Sequence, residues 1–205
     1  NNALETEDAF KQWVLHHNIP LAHINLKALS TVDEIGWVQL ASERVLLFHS
    51  QNETQAQGQL LPKLENAKRY REVAYYPATL PDDLLVFAEA IGGKIIPNWG
   101  AVIENFIVFA ASEEAIKTVI SSYKDGSTLS KNLVYNSFKE NLASKSSIFW
   151  IAQTKALIDL WKNKKENKNP WSQLDTENYP YLAFQGALEN DFMHLHLRIH
   201  KNDLE

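Results

Sequence analysis

Four side chains near the end of the chain have the types and spacing to do chemistry. His194, His196, Arg198 and His200 alternate with Met193, Leu195, Leu197 and Ile199, the period of two that gives a strand one polar and one apolar face. Imidazoles two residues apart can set two nitrogens on one Zn²⁺, and a further ligand would complete an open hydrolytic site. His194 and His196 are therefore the candidate metal ligands, and a metal-dependent hydrolase using that strand face is the enzymatic reading. His200 lies too far along the strand to share an ion with His194. The same alternation also describes a solvated, mildly basic face opposite a buried apolar one, which needs no metal.

Other reactive types are present without the company that chemistry requires. His16 and His17 are adjacent, whereas a helical metal pair wants a spacing of three or four, and no HExxH occurs. Asp82-Asp83 and Glu113-Glu114 fall where first helical turns are expected, so they complement the helix dipole rather than form a general acid/base pair. No serine sits in GxSxG, and neither GxGxxG nor GxxxxGK[ST] occurs among only seven glycines. No catalytic or cofactor-binding residue is assigned, and no cofactor is expected. Cysteine is absent, which excludes disulfides, thiol nucleophiles and thiolate metal sites.

The basic cluster Lys162–Lys168 includes Lys164 and Lys165 but also Glu166 and asparagines, and reads as a solvated loop. Trp161 and Trp171 flank it. With Lys164 and Lys165 they form the candidate partner surface, since tryptophan anchors interfaces well. Trp37, Trp99 and Trp150 fall in strands and are expected in the core. The formal net charge of -5 lacks the basic balance a nucleic-acid binder uses to displace phosphate counterions, so no nucleic-acid partner is expected. No apolar run reaches the roughly 18 residues that span a bilayer.

These residues must be positioned by the elements around them. Phe10, Trp13, Val14 and His17 share a helical face, and Ile24, Leu26 and Ala28 alternate as a strand. Ile35–Ala41 and Arg44–His49 read as a hairpin, and the polar run Gln51–Gly58 as a flexible loop. Arg71–Tyr76 reads as a strand. Pro81 sits in the first turn of a helix that Gly92-Gly93 ends. A second hairpin turns at Glu104-Asn105. Ser112 caps a helix that Gly126 stops, and Ser130 caps another. Ser147–Ala152 is apolar nearly throughout, the pattern of a strand buried on both faces. After the helix Lys155–Trp161, an irregular stretch leads to a third hairpin, Leu182–Leu188 with Phe192–His200. Its Glu189-Asn190 turn echoes Glu104-Asn105. The fold class is α+β, a largely antiparallel sheet built from hairpins with helices packed on one face.

The 205 residues suit one module over 1–203, with a soft division near 93/94. The chain begins Asn1-Asn2 and its one methionine is Met193, so it reads as excised from a larger protein. Residues 204–205 (Leu-Glu) read as a cloning scar.

The stretch FIVFAASEEAIKTVISSYKDGSTLSKNLVYNSFKENLASKSSIFWIA, within Asn105–Ala152, resembles a family of uncharacterised extracytoplasmic α+β proteins of Gram-negative bacteria, a domain of unknown function. In that family a strand ending in Ser leads to a helix, a G-x-T-L turn, a short helix and an SKSSIF-like strand. The resemblance covers about a quarter of the chain. It implies an extracytoplasmic location in the periplasm or cell envelope, a membrane anchor lying outside this fragment, and no catalytic residues. The resulting expectation is a non-enzymatic scaffold or binding module of an envelope protein. Its partner would be another envelope protein or other parts of its own parent chain. The alternatives are the His194/His196 hydrolase and a carrier of an apolar ligand between helices and sheet. A scaffold predicts an exposed patch or an uncovered strand edge; a carrier predicts an apolar cavity of several hundred Å³.

Overall fold

The computed structural model describes residues 32–201 except 42, 62–65, 144–145, 163–174 and 190–191. The expected helix around Phe10–His17, the strand Ile24–Ala28 and the lysine loop with Trp171 lie outside the described residues. The chain divides into two compact units, the first ending at Asp125 and the second starting at Gly126. The soft division near 93/94 falls inside the first unit. There the chain runs from Gly93 through five irregular residues into a strand paired on both sides, so the sheet ties the two halves together.

In the first unit, strands β1 (Glu34–Gln39), β2 (Arg44–His49), β3 (Lys68–Tyr70), β4 (Val73–Pro77), β5 (Trp99–Ile103) and β6 (Phe106–Ala110) form one antiparallel sheet. Their order is β1-β2-β6-β5-β4-β3. Helices α1 (Glu53–Leu60), α2 (Asp82–Gly92) and α3 (Glu113–Lys124) pack against it. The fold is α+β with a largely antiparallel sheet, and here the helices take both faces rather than one. Leu46, Phe48, Ile107 and Phe109 pack with Ala56 and Leu60 of α1 and Leu84 and Ala88 of α2. Val45, Val108, Ala110 and Ala101 pack with Ala115, Ile116 and Ile120 of α3. The unbroken apolar runs of β2 and β6 supply both layers, because alternate residues of one strand point to opposite faces. Phe48 and Phe109 meet edge to face with centroids 5.8 Å apart.

Local chemistry explains most boundaries. Ser112 caps α3 by accepting from the Ala115 N–H at 3.1 Å. Gly93 and Gly126 follow helices at φ of 85° and 66°, the left-handed region glycine enters freely. Three expectations are corrected. Gln51–Gly58 is not a loop but contains most of α1, capped by Asn52, whose side chain accepts from the Gln55 N–H; Ala56 and Leu60 bury it against the sheet. Arg71–Tyr76 begins in a turn, with Arg71 and Glu72 at φ of 48° and 69°; these join β3 to β4 as a tight hairpin does. Ser130 does not cap the next helix. It lies in a 3₁₀ turn, Leu129–Lys131, and Asn132 makes the cap by accepting from the Tyr135 N–H.

The second unit carries helix α4 (Leu133–Lys139), strand β7 (Ile148–Gln153), helix α5 (Thr154–Lys162) and strands β8 (Tyr181–Glu189) and β9 (Phe192–His200). The strands form a three-stranded antiparallel sheet in the order β7-β8-β9. β7 is therefore an edge strand. Ile148, Phe149 and Trp150 are each more than two-fifths exposed, which corrects both the doubly buried strand and the core placement of Trp150. Trp37 and Trp99 do pack partly buried against the two cores of the first unit.

Candidate functional site

The register of the second sheet sorts its side chains into two faces. Tyr181 and Ala183 of β8 and Ile151 of β7 share one face with Phe149, His196 and Arg198. α4 packs there. The Phe138 ring stacks on Tyr181 at 6.1 Å with the planes 8° apart, and Tyr135 meets the same ring edge-on. Gln185, buried beside them, accepts from the Ala143 N–H at 2.9 Å and donates to the Ala143 carbonyl at 3.1 Å. An amide paired at both its oxygen and its nitrogen in this way pins the approach to β7 onto the sheet.

The opposite face is built from three rows. Ile148, Gly186 and Leu195 form one, Trp150, Phe184 and Leu197 the next, and Ala152, Leu182 and Ile199 the third. Gly186 sets no side chain between Ile148 and Leu195. Exposure is 45% at Ile148, 42% at Trp150, 59% at Leu195, 55% at Leu197 and 40% at Ile199. Together these five leave on the order of 500 Å² of apolar surface in contact with water, as large as patches on monomers usually become. Both sets of β9 thus face solvent, since every side chain from His194 to Ile199 is exposed, whereas on the β8 strand between them and β7 Phe184 is half-buried and Leu182 is buried.

His194 and His196 share the face the sequence assigns to them. Among the described residues, no group of three histidine, cysteine or carboxylate side chains is gathered closely enough to hold a metal ion. Trp161 lies in α5, and Trp171, Lys164 and Lys165 are outside the described residues, so that candidate partner surface lies outside what the structure describes.

Two clusters in the first unit escape a linear reading. Glu113, at the start of α3, accepts from Lys68 Nζ at 2.6 Å, from Lys117 Nζ at 2.8 Å and from the Tyr75 hydroxyl at 2.7 Å. These three donors hold its carboxyl at about 2, well below the usual carboxylate range, with Lys117 contributing most. The same bonds push Lys117 up, while burial and the Glu113 contact push Tyr75 up. Lys68 also lies 4.7 Å over the Trp99 ring. The cluster carries one net positive charge, and its bonds from Lys68 and Tyr75 to Glu113 latch the β3–β4 edge to α3. Lys68 is 45 positions from Glu113, so only the sheet register could have paired them.

The second cluster is a dyad. His49 Nδ1 lies 2.6 Å from Asp33 Oδ1, and Phe106 packs on the imidazole at 4.8 Å. A carboxylate in this position fixes the ring as it would for proton transfer. The neighbouring Ser50 is buried, with its Oγ accepting from the Asn52 N–H, so that hydroxyl serves the approach to α1. The β1–β2 register, which sets Glu34 opposite His49, makes the dyad.

A cavity of about 360 Å³ opens at the end of the β4–β5 ladder, where Glu72, Glu104, Lys124, Tyr123, Tyr76 and Val102 line it. The Tyr123 hydroxyl donates to Glu104 at 2.5 Å, which pushes the phenol up. Its charged rim is not that of an apolar-ligand pocket. No described helix is long and apolar enough to cross a membrane. The chain matches no protein-family model, no curated protein and no solved structure.

Proposed function

We propose that this chain is a non-enzymatic binding or scaffold module whose contact surface is the three-stranded sheet of the second unit. One observation carries the reading. The face containing Ile148, Trp150, Leu195, Leu197 and Ile199 is apolar and open to water along β7 and β9, with Phe184 half-buried and Leu182 buried between them, and it ends at a strand with no neighbour among the described residues. The largest apolar patch on a monomer is often its functional surface, and this supports docking there. A location in the bacterial envelope, with an envelope protein or another part of the parent chain as partner, belongs to the same proposal and rests on the resemblance of Asn105–Ala152.

Native mass spectrometry of the purified chain before and after EDTA tests the class of function. The expected result is the mass of the bare polypeptide, unchanged by chelation. A stoichiometric metal would replace this reading with the His194/His196 hydrolase. A retained apolar adduct would replace it with a carrier.

A further inference from the structure

We infer that the outer edge of β9 receives β9 of a second copy of this chain, antiparallel, so that two three-stranded sheets join into one of six strands. The inference rests on reading this sheet as a binding surface.

The first argument is the state of the edge. β9 is the last strand in the order β7-β8-β9, so one side of its backbone meets no strand among the described residues. Natural edges of this kind are blunted by shortness, lysine or proline. β3 follows that rule with three residues, two of them Lys68 and Arg69. β9 is blunted less, since it runs nine residues as FMHLHLRIH with Arg198 as its one lysine or arginine and no proline.

The second argument is a precedent inside the chain. Four tight hairpins occur among the described residues: β1–β2, β3–β4, β5–β6 and β8–β9. The first and third abut through the outer edges of their second strands, antiparallel, from Val45 opposite Ala110 to His49 opposite Phe106. β9 is the second strand of the fourth hairpin. The helices that follow β2 and β6 pack on opposite faces of the sheet, so the likeness is one of strand pairing alone. Antiparallel pairing of a strand with itself is what a two-fold axis produces, and two-fold dimers are the commonest assemblies.

The third argument is what the pairing covers. A nine-residue strand overlaps its own copy fully when the axis passes through its middle residue, His196. That register sets Leu195 opposite Leu197 of the second copy, and Leu197 opposite its Leu195, so the two most exposed side chains of the apolar face become cross-strand partners. Two such strands bury on the order of 1,000 Å² together, the lower end for a specific interface, so the dimer is a reversible one.

Sedimentation velocity of the full chain from about 5 to about 500 µM tests this range. The expected result is a concentration-dependent shift to twice the monomer mass. It is lost in the double variant Leu195→Lys, Leu197→Lys, whose far-ultraviolet circular dichroism stays that of the parent because both sites are exposed. The chain has no cysteine, so single cysteines report the axis. Under mild oxidation His196→Cys should cross-link about ten-fold faster than Ser147→Cys or Arg198→Cys, because only on the axis do the two copies come within disulfide reach. A monomer throughout the range overturns the proposal, as does a dimer that survives the double variant or cross-links best away from His196. If the native mass is still that of the bare polypeptide, a monomer leaves the binding surface standing with a different strand as its partner. A metal or adduct in that spectrum would overturn the binding reading itself.

Discussion

Removing the Glu43 carboxylate should loosen the first unit far more than a loop substitution ordinarily does. Glu43 sits in the β1–β2 loop, yet its Oε2 accepts from the backbone N–H groups of Ala111 at 3.1 Å and Ser112 at 3.2 Å, and its Oε1 accepts from the Ser112 hydroxyl. It thus places a negative charge where α3 begins and satisfies donors that the helix cannot. Hydrogen bonds to a charged acceptor contribute about 1.5 to 3 kcal/mol each when water is excluded. Here all the partners are only half-buried, so water replaces part of what is lost. The net cost of Glu43→Ala is then about 2 kcal/mol, against the roughly 0.5 kcal/mol or less of an ordinary surface change.

Hydrogen exchange of the α3 amides, read by mass spectrometry, measures this directly. About 2 kcal/mol corresponds to a roughly thirty-fold rise in the open population. Glu43→Gln keeps one carbonyl acceptor and should fall between Ala and the parent. Ser112→Ala alone should cost about 1 kcal/mol, the usual loss of a cap. The double variant should cost less than the sum, because Ser112 Oγ belongs to both sets of bonds. Exchange in Glu43→Ala within about two-fold of the parent would refute the reasoning. It would mean that water serves Ala111 and Ser112 as well as the carboxylate does.

Three further outcomes follow from the same geometry. Glu113 has a lowered pKa, so its latch is complete above about pH 4.5, weakens as the pH falls and is gone near pH 2; the difference in urea midpoint between the parent and Glu113→Gln should shrink over that window, and a constant difference would contradict it. Phe109→Ala removes a ring with 0% exposure from its contact with Phe48 and should cost about 3 to 5 kcal/mol in urea unfolding, much of what a domain of this kind has to lose. Gly100→Ala would put a Cβ 2.7 Å from a Leu61 methyl and 3.1 Å from the Ala78 Cβ, so about 1 to 3 kcal/mol of overpacking should appear as a lower thermal midpoint, and an unchanged midpoint would show that Leu61 has room to turn.

What the sequence reveals about the fold follows the reach of each signal. Hairpins and caps are legible because their chemistry is local. Ser112 and Gly126 bound α3, and the alternation of β9 sets its two faces. α1 is not legible, because ETQAQGQL has little apolar periodicity and owes its helix to Ala56 and Leu60 meeting a sheet formed by distant strands. The Glu113 latch and the His49–Asp33 dyad are hidden for the same reason, since their members meet only once the strand register is fixed. At the candidate surface, the apolar alternation of β9 is readable, whereas the absence of a layer over β9 among the described residues is a tertiary fact.

That absence gives the misreading of β7 its meaning. IFWIAQ has the composition of a strand covered on both sides, and LHLRI in β9 has that of a strand covered on one. In the first unit the corresponding pattern is honoured: β2 and β6 carry equally apolar runs, and helices and neighbouring strands bury them. In the second unit the same kind of side chain stands in water at Ile148, Trp150, Leu195 and Leu197. Apolar side chains also stand exposed singly elsewhere, as at Ile96 and Leu133, but their concentration on one sheet is a disagreement of the kind that points to function. Exposing on the order of 500 Å² of apolar surface costs about 10 kcal/mol relative to burying it. A partner that covers the face recovers part of that, less the cost of association.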